Sequence, residues 1–378
     1  MIIFTNRINI KSCRLKKLSF ILFICAISNN ILAQTTRKYS NEFLNIGVDA
    51  AALGMSKSVT ASSADVNSIY WNPAGLANIN VNQGALMHTS HFAGIANYDY
   101  AAVAIAPKED DGIVLAFSII RFGVDDILNT TQLIDSEGNV DFNRISLFSA
   151  ADYAITTGIA KEIKSIKGLN IGMNAKIIRR IIGDFASSWG FGLDAAAQYS
   201  VENWKFGLMV RDITTTVNTW TIDSAELETI QNAIPGQNEQ IPTTTELTIP
   251  KVHVGIAKNF DFKNEAFKLL TEINFHARFT KTNDIISNKS LSIDPSLGFQ
   301  LDYQKIVYLR LGVGNFQNIN EFDDSSSLSL QPNIGLGFSY HGIQIDYALS
   351  NIANVGNSLY SNTFSIKVDF DFMKPRKQ

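Results

Sequence analysis

The chain has 378 residues, with 32 basic and 35 acidic side chains and a formal net charge of −3, and 18% of its residues are charged. A slightly acidic chain without basic clusters excludes nucleic acid as an expected partner. Both cysteines, Cys13 and Cys25, lie in the first 33 residues, which excludes disulfides and thiol chemistry from the rest of the chain.

Residues 1–33 have the pattern of a cleaved signal peptide. Five basic residues precede the run LSFILFICAI at residues 18–27, which is too short to cross a bilayer as a helix. Ile-Leu-Ala before Gln34 predicts cleavage after Ala33, leaving 27 basic and 35 acidic residues, a net charge of −8. A lipoprotein signal at Cys25 fits less well, because Ile24 stands where a small residue is expected. No later apolar run is long enough for a membrane helix, so a soluble exported protein and an outer-membrane barrel remain.

The next segment, 34–83, is rich in Ala, Gly and Ser and contains SIYWNPAGLANI at residues 68–79. Asn72-Pro73-Ala74-Gly75 is a turn sequence, with Pro suited to the second position and Gly to the fourth. Small residues pack closely against a wall, and Pro73 fixes a reversal. We expect 34–83 to fold back into a barrel as a hatch, with its turn at Trp71, Asn72, Pro73 and Gly75. A periplasmic tail is the less favoured alternative, because tails are usually more charged.

From residue 84 onward the hydrophobic pattern has period two. NTFSIKVDFDF, near the C-terminus, places apolar and polar side chains on alternate positions, and GIQIDYAL and NWKFGLMVRD do the same. Alternation over nine to eleven residues is typical of tilted membrane-crossing strands. The pattern predicts fourteen strands, at 84–91, 96–106, 112–122, 147–160, 169–181, 187–201, 203–212, 251–260, 267–280, 289–303, 306–316, 327–340, 342–350 and 362–372.

The connections indicate how these strands are arranged. Connections after even-numbered strands are short, whereas most of those after odd-numbered strands are longer, which is the asymmetry of an outer-membrane barrel with periplasmic turns. A β-sandwich also alternates, but its loops would not sort by parity. The predicted fold is therefore all-β, a transmembrane antiparallel β-barrel of about 14 strands at 84–372 with the hatch in its lumen, followed by a periplasmic tail at 373–378.

Charged residues on the polar strand faces would point into the lumen if the apolar faces meet lipid. We expect them to pair with one another and with the hatch, because lone charges in a dry interior are costly. A polar conduit or an anion site is the alternative, which the similar numbers of both signs disfavour. The residues are Lys176, Arg211, His253, Glu272, His276, Arg278, Arg310, Asp346, Lys367, Asp369 and Asp371, of which Lys176, Arg211, Glu272, His276, Arg278 and Arg310 form the predicted luminal polar network.

The connection at 213–250 is the longest. A short helix is predicted at 224–233, and Trp220 is a large aromatic residue in a segment expected outside the membrane. Long connections of this kind tend to be functional or disordered. We expect a lid or a partner-docking loop here, with Trp220, Glu226 and Leu227 as contact residues.

No motif in the sequence supports catalysis, so we expect no catalytic residues, no cofactor and no enzyme activity. His88 and His91 are three residues apart on a predicted strand, where they point to opposite faces and cannot share a metal. The other three histidines are scattered, and we expect no metal site.

The segment GVDAAALGMSKSVTASSADVNSIYWNPAGLANI resembles the N-terminal signature of the PorV/PorQ family of Bacteroidetes, within the wider group of FadL-like outer-membrane barrels. The matching motifs are ALGM at residues 52–55 and WNPAG at residues 71–75, and Ser56-Lys57 departs from the small residues that members often carry. The resemblance implies a fourteen-stranded barrel with an internal hatch.

Two roles follow from this resemblance. The first is a component of the type IX secretion system that docks exported cargo by its C-terminal domain; its partners would be other secretion components, cargo and outer-membrane lipid. The second is a FadL-like passive channel for hydrophobic small molecules. The mixed luminal charges favour the docking role, because a docking protein needs a filled lumen and ordered loops.

Overall fold

The computed structural model describes residues 40–91, 94–107, 112–134, 138–224, 228, 244–262, 266–320, 325–350 and 361–370. Its strands are β1 (Gln83–His91), β2 (Ala96–Ile105), β3 (Ile113–Asn129), β4 (Ser146–Glu162), β5 (Leu169–Ile182), β6 (Ala186–Val201), β7 (Trp204–Arg211), β8 (Thr216–Ile222), β9 (Thr245–Thr248), β10 (Lys251–Asp261), β11 (Phe267–Arg278), β12 (Ile286–Ser287), β13 (Ser292–Tyr303), β14 (Val307–Asn320), β15 (Ser326–Tyr340), β16 (Ile343–Ser350) and β17 (Ser361–Asp369).

These strands form one closed antiparallel barrel. Most strands pair with their neighbours along the chain, and β1 pairs with β17 from Gln83 opposite Asp369 to Ser90 opposite Asn362, which closes the barrel. β7 and β8 both pair with β6 and together make one barrel strand, as β9 and β10 do on the next. The two-residue β12 lies in a connection, so 14 strands make up the described wall. The predicted fold class is confirmed.

Exposure alternates along the strands because one face meets the lumen and the other faces outward. On β3, Leu115 and Phe117 are 42% and 45% exposed, whereas Val114 and Ala116 between and beside them are fully buried. The outward face carries the large apolar side chains, which suits contact with lipid. The small inward residues leave room for what the barrel contains.

The short turns lie at one end of the barrel, at 163–168, 202–203, 304–306 and 341–342. β1 begins and β17 ends at the same end, which we take as the periplasmic end because short turns face the periplasm in such barrels. At the other end, the connections at 92–95 and 183–185 are short and the other connections are longer.

Two predicted boundaries were wrong at the extracellular end. β3 continues to Asn129, past the predicted end at residue 122, with a bulge between Val124 and Ile127. The predicted loop at 213–250 contains β8 and β9, which pair with each other. β8 also pairs with β6, so the two strands extend the barrel wall at its extracellular end. Both extensions carry polar residues on both faces and so lack the hydrophobic alternation by which the lower strands were predicted.

Residues 40–82, the described part of the predicted hatch ahead of β1, lie inside the barrel. The hatch contains two short α-helices, Ala50–Gly54 and Ser68–Trp71, and two 3₁₀ helices, Glu42–Asn45 and Pro73–Asn78; a further 3₁₀ helix is Phe142–Arg144. The Ala50–Gly54 helix packs on β14–β17, and the Pro73–Asn78 helix packs on β3–β6. The hatch therefore bridges opposite parts of the wall.

An apolar cluster joins the hatch to β1–β3. Val48, Ile69 and Leu76 of the hatch are fully buried in it, together with Tyr98 and Val114 of the wall. Among the described residues, no helix has the length and apolar character needed to cross a bilayer.

The closed ladder predicts how the protein behaves during extraction. Because the outward apolar face needs lipid or detergent, the protein should stay with outer membranes through a high-salt wash and be released only by detergent. The barrel should also resist dodecyl sulfate until boiled, so boiled and unboiled samples should migrate differently on a gel. Recovery in a periplasmic wash would contradict the assignment as a membrane barrel.

Candidate functional site

Polar side chains on the lumen side of the wall hold the hatch backbone. Because side chains alternate along a strand, Asn174 on β5, Gln198 on β6 and Asn274 on β11 all face the lumen. Their amide nitrogens donate hydrogen bonds to hatch carbonyl oxygens: Asn174 to Ile69 at 2.7 Å, Gln198 to Ser63 at 2.9 Å and Asn274 to Lys57 at 3.1 Å. These amides give irregular backbone the partners that it cannot find in a membrane interior.

Arg211, at the end of β7, also binds the hatch backbone, but through its guanidinium group. It is 8% exposed, and its guanidinium donates to the carbonyl oxygens of Leu44 at 3.2 Å and Tyr70 at 2.6 Å. The same group lies over the Tyr70 ring, 4.3 Å from its centroid. A buried arginine is here matched by hatch carbonyls and an aromatic face, so it ties two separate parts of the hatch to the wall.

Glu272, on β11, is fully buried and accepts a hydrogen bond from the backbone nitrogen of Ala61 at 2.7 Å. A carboxylate acceptor on this side of the lumen complements the donors on β5, β6 and β7. The hatch is thus bonded to the wall through both its N–H and its C=O groups.

The turn predicted at residues 72–75 lies against β5 and β6 on the lumen side of the wall. The Asn72 side chain accepts from the nitrogen of Ala74 at 3.1 Å and donates to the Thr60 carbonyl at 2.8 Å, and the Gly75 nitrogen bonds back to the Asn72 carbonyl. A Cβ on Gly75 would overlap the Ser63 carbonyl oxygen. Pro73 opens the 3₁₀ helix that follows.

Trp71, beside this turn, is 6% exposed. Its indole nitrogen donates to the Val48 carbonyl at 3.1 Å, and its ring packs edge-on against Tyr70. Trp71 therefore fastens one section of the hatch to another rather than to the wall.

Gly172 on β5 allows the turn to touch the wall. A Cβ at this position would overlap the Pro73 carbonyl carbon and the Ala74 nitrogen. The hatch backbone therefore approaches the strand backbone more closely than any side chain would permit.

The luminal charges lie in separate clusters rather than in one network. Lys176 donates to Asp194 at 2.8 Å and lies 2.7 Å from Asp212, and all three are buried. The other described pairs on the lumen side include Arg310 with Asp346 at 2.6 Å, Arg278 with Asp284 at 2.7 Å and Arg180 with Asp152 at 2.9 Å. Two pairs join the wall to the hatch, Lys367 with Asp65 at 2.7 Å and Lys251 with Glu42 at 3.4 Å.

His276 takes part in none of these described ion pairs, and its Nδ1 contacts Nδ1 of His253 instead. Asp369 lies at the periplasmic end of β17, where it accepts from Gln83 at 2.8 Å. Asp371 lies outside the described residues.

The sequence analysis did not identify the carboxylates of Asp194 and Asp212. It also did not identify the three amides that bind the hatch, those of Asn174, Gln198 and Asn274. All except Asp212 occupy inward strand positions, so the alternation that placed Lys176 could have placed them. Their amide and acidic character marks no single function, which is why they did not stand out.

The predicted docking loop is corrected in part. Trp220 lies on β8, in the wall extension, because TVNTWTI is rich in β-branched and aromatic residues that favour strands. Its ring stacks with Arg180 on the neighbouring wall, with the guanidinium carbon 5.2 Å from the ring centroid. Glu226 and Leu227 lie outside the described residues.

Two cavities lie inside the described lumen, on opposite sides of Tyr70 and Trp71. The larger one measures about 280 Å³ and lies in the periplasmic half, where it is lined by Trp71, Leu270 and Lys367, among others. The smaller one measures about 30 Å³ and lies in the extracellular half, lined by Tyr70 and Arg211, among others. The Ser68–Trp71 helix separates them.

No family model matches the chain, and no curated protein matches its sequence. Among solved structures it is similar to the CymD monoaromatic hydrocarbon channel, with a TM-score of 0.50 and 11% identity over 86% of this chain and 98% of that chain. It is also similar to the Ralstonia pickettii toluene transporter TbuX, with a TM-score of 0.49 and 10% identity over 85% of this chain and 98% of that one. A Pseudomonas aeruginosa FadL homologue gives a TM-score of 0.48 and 11% identity, over 86% and 98%.

At such low identity these likenesses concern the fold alone. The chain therefore shares a closed β-barrel fold with the CymD channel.

The close approach at Gly172 yields a prediction. Gly172→Leu should displace the hatch turn, because the added side chain would overlap the backbone of Pro73 and Ala74, and overpacking of this kind typically costs about 1–3 kcal/mol. Added protease should then cut the hatch faster in the purified protein, and the single-channel conductance in planar bilayers should rise.

Ala175→Leu is the matched control, because it adds similar volume to the same strand on the exposed outer face. Equal protease resistance and conductance of the two variants would contradict the contact between Gly172 and the hatch turn.

Proposed function

We propose that this protein is a passive outer-membrane channel for small hydrophobic molecules, with the hatch as its gate. The observation that carries the proposal is the position of the Ser68–Trp71 helix between two luminal cavities in a barrel similar to a hydrocarbon channel. A route through the lumen would require this part of the hatch to move.

The contacts at the gate suit a movable part. Arg211 holds Tyr70 and Leu44 through carbonyl oxygens, without a carboxylate partner that would have to be separated. Breaking a buried ion pair typically costs about 3–5 kcal/mol, whereas hydrogen bonds from a charged group contribute about 1.5–3 kcal/mol each. The contacts of Arg211 with Tyr70 and Leu44 can therefore break without separating an ion pair, whereas movement of Asp65 or Glu42 would separate their pairs with Lys367 and Lys251.

The test of the gate uses a reversible tether. The hydroxyl oxygens of Ser58 in the hatch and Ser296 in the wall are 2.9 Å apart, so cysteines at these positions should form a disulfide. After removal of the predicted signal peptide the chain has no other cysteine. In liposomes, the oxidised Ser58→Cys/Ser296→Cys protein should pass a labelled hydrophobic solute much more slowly than the reduced protein.

Thr89→Cys/Thr363→Cys is the matched control, because these hydroxyls are also 2.9 Å apart but both belong to the wall. Oxidation should leave its uptake unchanged. If the unaltered protein takes up no solute, the channel function is contradicted. If the oxidised Ser58→Cys/Ser296→Cys protein takes up solute as fast as the reduced one, only the role of the hatch as a gate is contradicted.

Docking of exported cargo in the type IX secretion system is the second candidate. It is favoured by the N-terminal ALGM and WNPAG motifs and by the many bonds that fill the lumen with the hatch. In this role the barrel would be a rigid anchor, and its extracellular parts would contact secretion components and cargo C-terminal domains.

Removing residues 225–243 separates the two roles, because this deletion leaves β8 and β9 intact. If the protein is a channel, cells should keep solute uptake and normal surface display of exported cargo. Lost cargo display with unchanged uptake and unchanged barrel insertion would favour docking and contradict the first proposal.

A further inference from the structure

The larger cavity combines an apolar lining with charged groups. Met55, Trp71 and Leu270 supply apolar surface, and Gln300 and Gln344 supply amide groups. At about 280 Å³ it exceeds the apolar cavity of about 150 Å³ known to hold benzene. There is room for a molecule of one ring and a short substituent.

Each cation that lines the cavity already has its own carboxylate. Lys367 lies 2.7 Å from Asp65, and Arg310 lies 2.6 Å from Asp346. Asp49 is a second carboxylate that lines the cavity, beside Asp65, and it is 8% exposed. Among the described residues, no lysine or arginine forms an ion pair with it.

The hydrogen bonds to the Asp49 side chain occupy one of its two oxygens. Oδ1 accepts from the Ser365 hydroxyl at 2.9 Å and from the Ala51 nitrogen at 3.3 Å, where Asp49 caps the Ala50–Gly54 helix. Its backbone has a φ of 70°, a conformation that Asn adopts as readily as Asp. An asparagine would make both contacts and cap the helix equally well.

The fold therefore does not require an ionisable group at residue 49, and a buried carboxylate without an ion-pair partner is unfavourable. A cationic group in the cavity would provide the missing partner. The Trp71 ring beside the cavity also suits a cation, because the faces of aromatic rings attract positive charge.

We infer that the periplasmic-half cavity binds small molecules that combine an apolar body with an ammonium group, and that the ammonium pairs with Asp49. This inference rests on the proposed channel function for how such a molecule reaches the cavity, and it narrows the solutes to apolar amines. Lys367 and Arg310 do not oppose it, because each is neutralised by its own carboxylate.

The test compares three one-ring probes by calorimetry on the purified full-length barrel in detergent. Benzylamine, which is an ammonium ion at neutral pH, should bind about tenfold or more tightly than neutral benzyl alcohol, and benzoate should bind most weakly. Asp49→Asn should remove the preference for benzylamine, while benzyl alcohol binding and the unboiled gel mobility stay unchanged.

Glu272→Gln is the matched control, because Glu272 is also a fully buried luminal carboxylate but does not line this cavity. It should keep the preference for benzylamine. The inference is overturned if the three probes bind equally, if Asp49→Asn keeps the preference, or if Na⁺ or Ca²⁺ occupies the site with no preference for the amine.

Failure of this inference and failure of the channel proposal give different results. Uptake of neutral solutes with no amine preference would leave the channel and remove the Asp49 site. Benzylamine binding that depends on Asp49, in a protein that passes no solute into liposomes, would leave the site and remove the channel.

Discussion

The structure depends on one constraint: irregular backbone at membrane depth is stable only when the protein itself supplies partners for its N–H and C=O groups. The hatch is such a backbone. The wall meets the requirement with inward amides, a guanidinium and a carboxylate, as Asn174, Gln198, Arg211 and Glu272 illustrate. The polar side chains of the lumen are explained by their hydrogen bonds to the hatch, so a water-filled channel is not needed to explain them.

The same constraint explains why the hatch is rich in small residues. Each hydrogen bond from the wall requires the hatch backbone to come within reach of side chains rooted on the strands. At Gly172 the approach is so close that strand and hatch backbones touch. Larger hatch side chains would hold the two backbones apart and leave buried polar groups without partners, which costs about 1–3 kcal/mol for each group. The sequence of the hatch and the sequence of the inner wall are therefore matched to each other.

Much of this fold could be predicted from the sequence, because the alternation of apolar and polar residues along a strand indicates which side chains face lipid. That pattern placed most strand ends within a few residues, although not the end of β3, and put Lys176, Glu272 and Arg310 inside. It failed at β8, where TVNTWTI lies beyond the apolar band and neither face is hydrophobic, so Trp220 was assigned to a loop. The sequence also could not predict which charged residues pair with each other. Which carboxylate meets Lys176 depends on the stagger between strands, and alternation along one strand does not contain that information.

The 280 Å³ cavity bears on the choice between the two candidate roles. A barrel that serves only as an anchor gains from a completely filled lumen, since every void forfeits dispersion contacts and apolar burial. Here the hatch fills the extracellular half closely and leaves space in the periplasmic half, beside Trp71. The space is bordered by Asp49, a charge that helix capping does not need. A cavity of this size, with chemistry that the fold does not require, favours the channel role, in which the lumen accommodates a solute. It is not needed for the docking role, in which the barrel only anchors the extracellular parts.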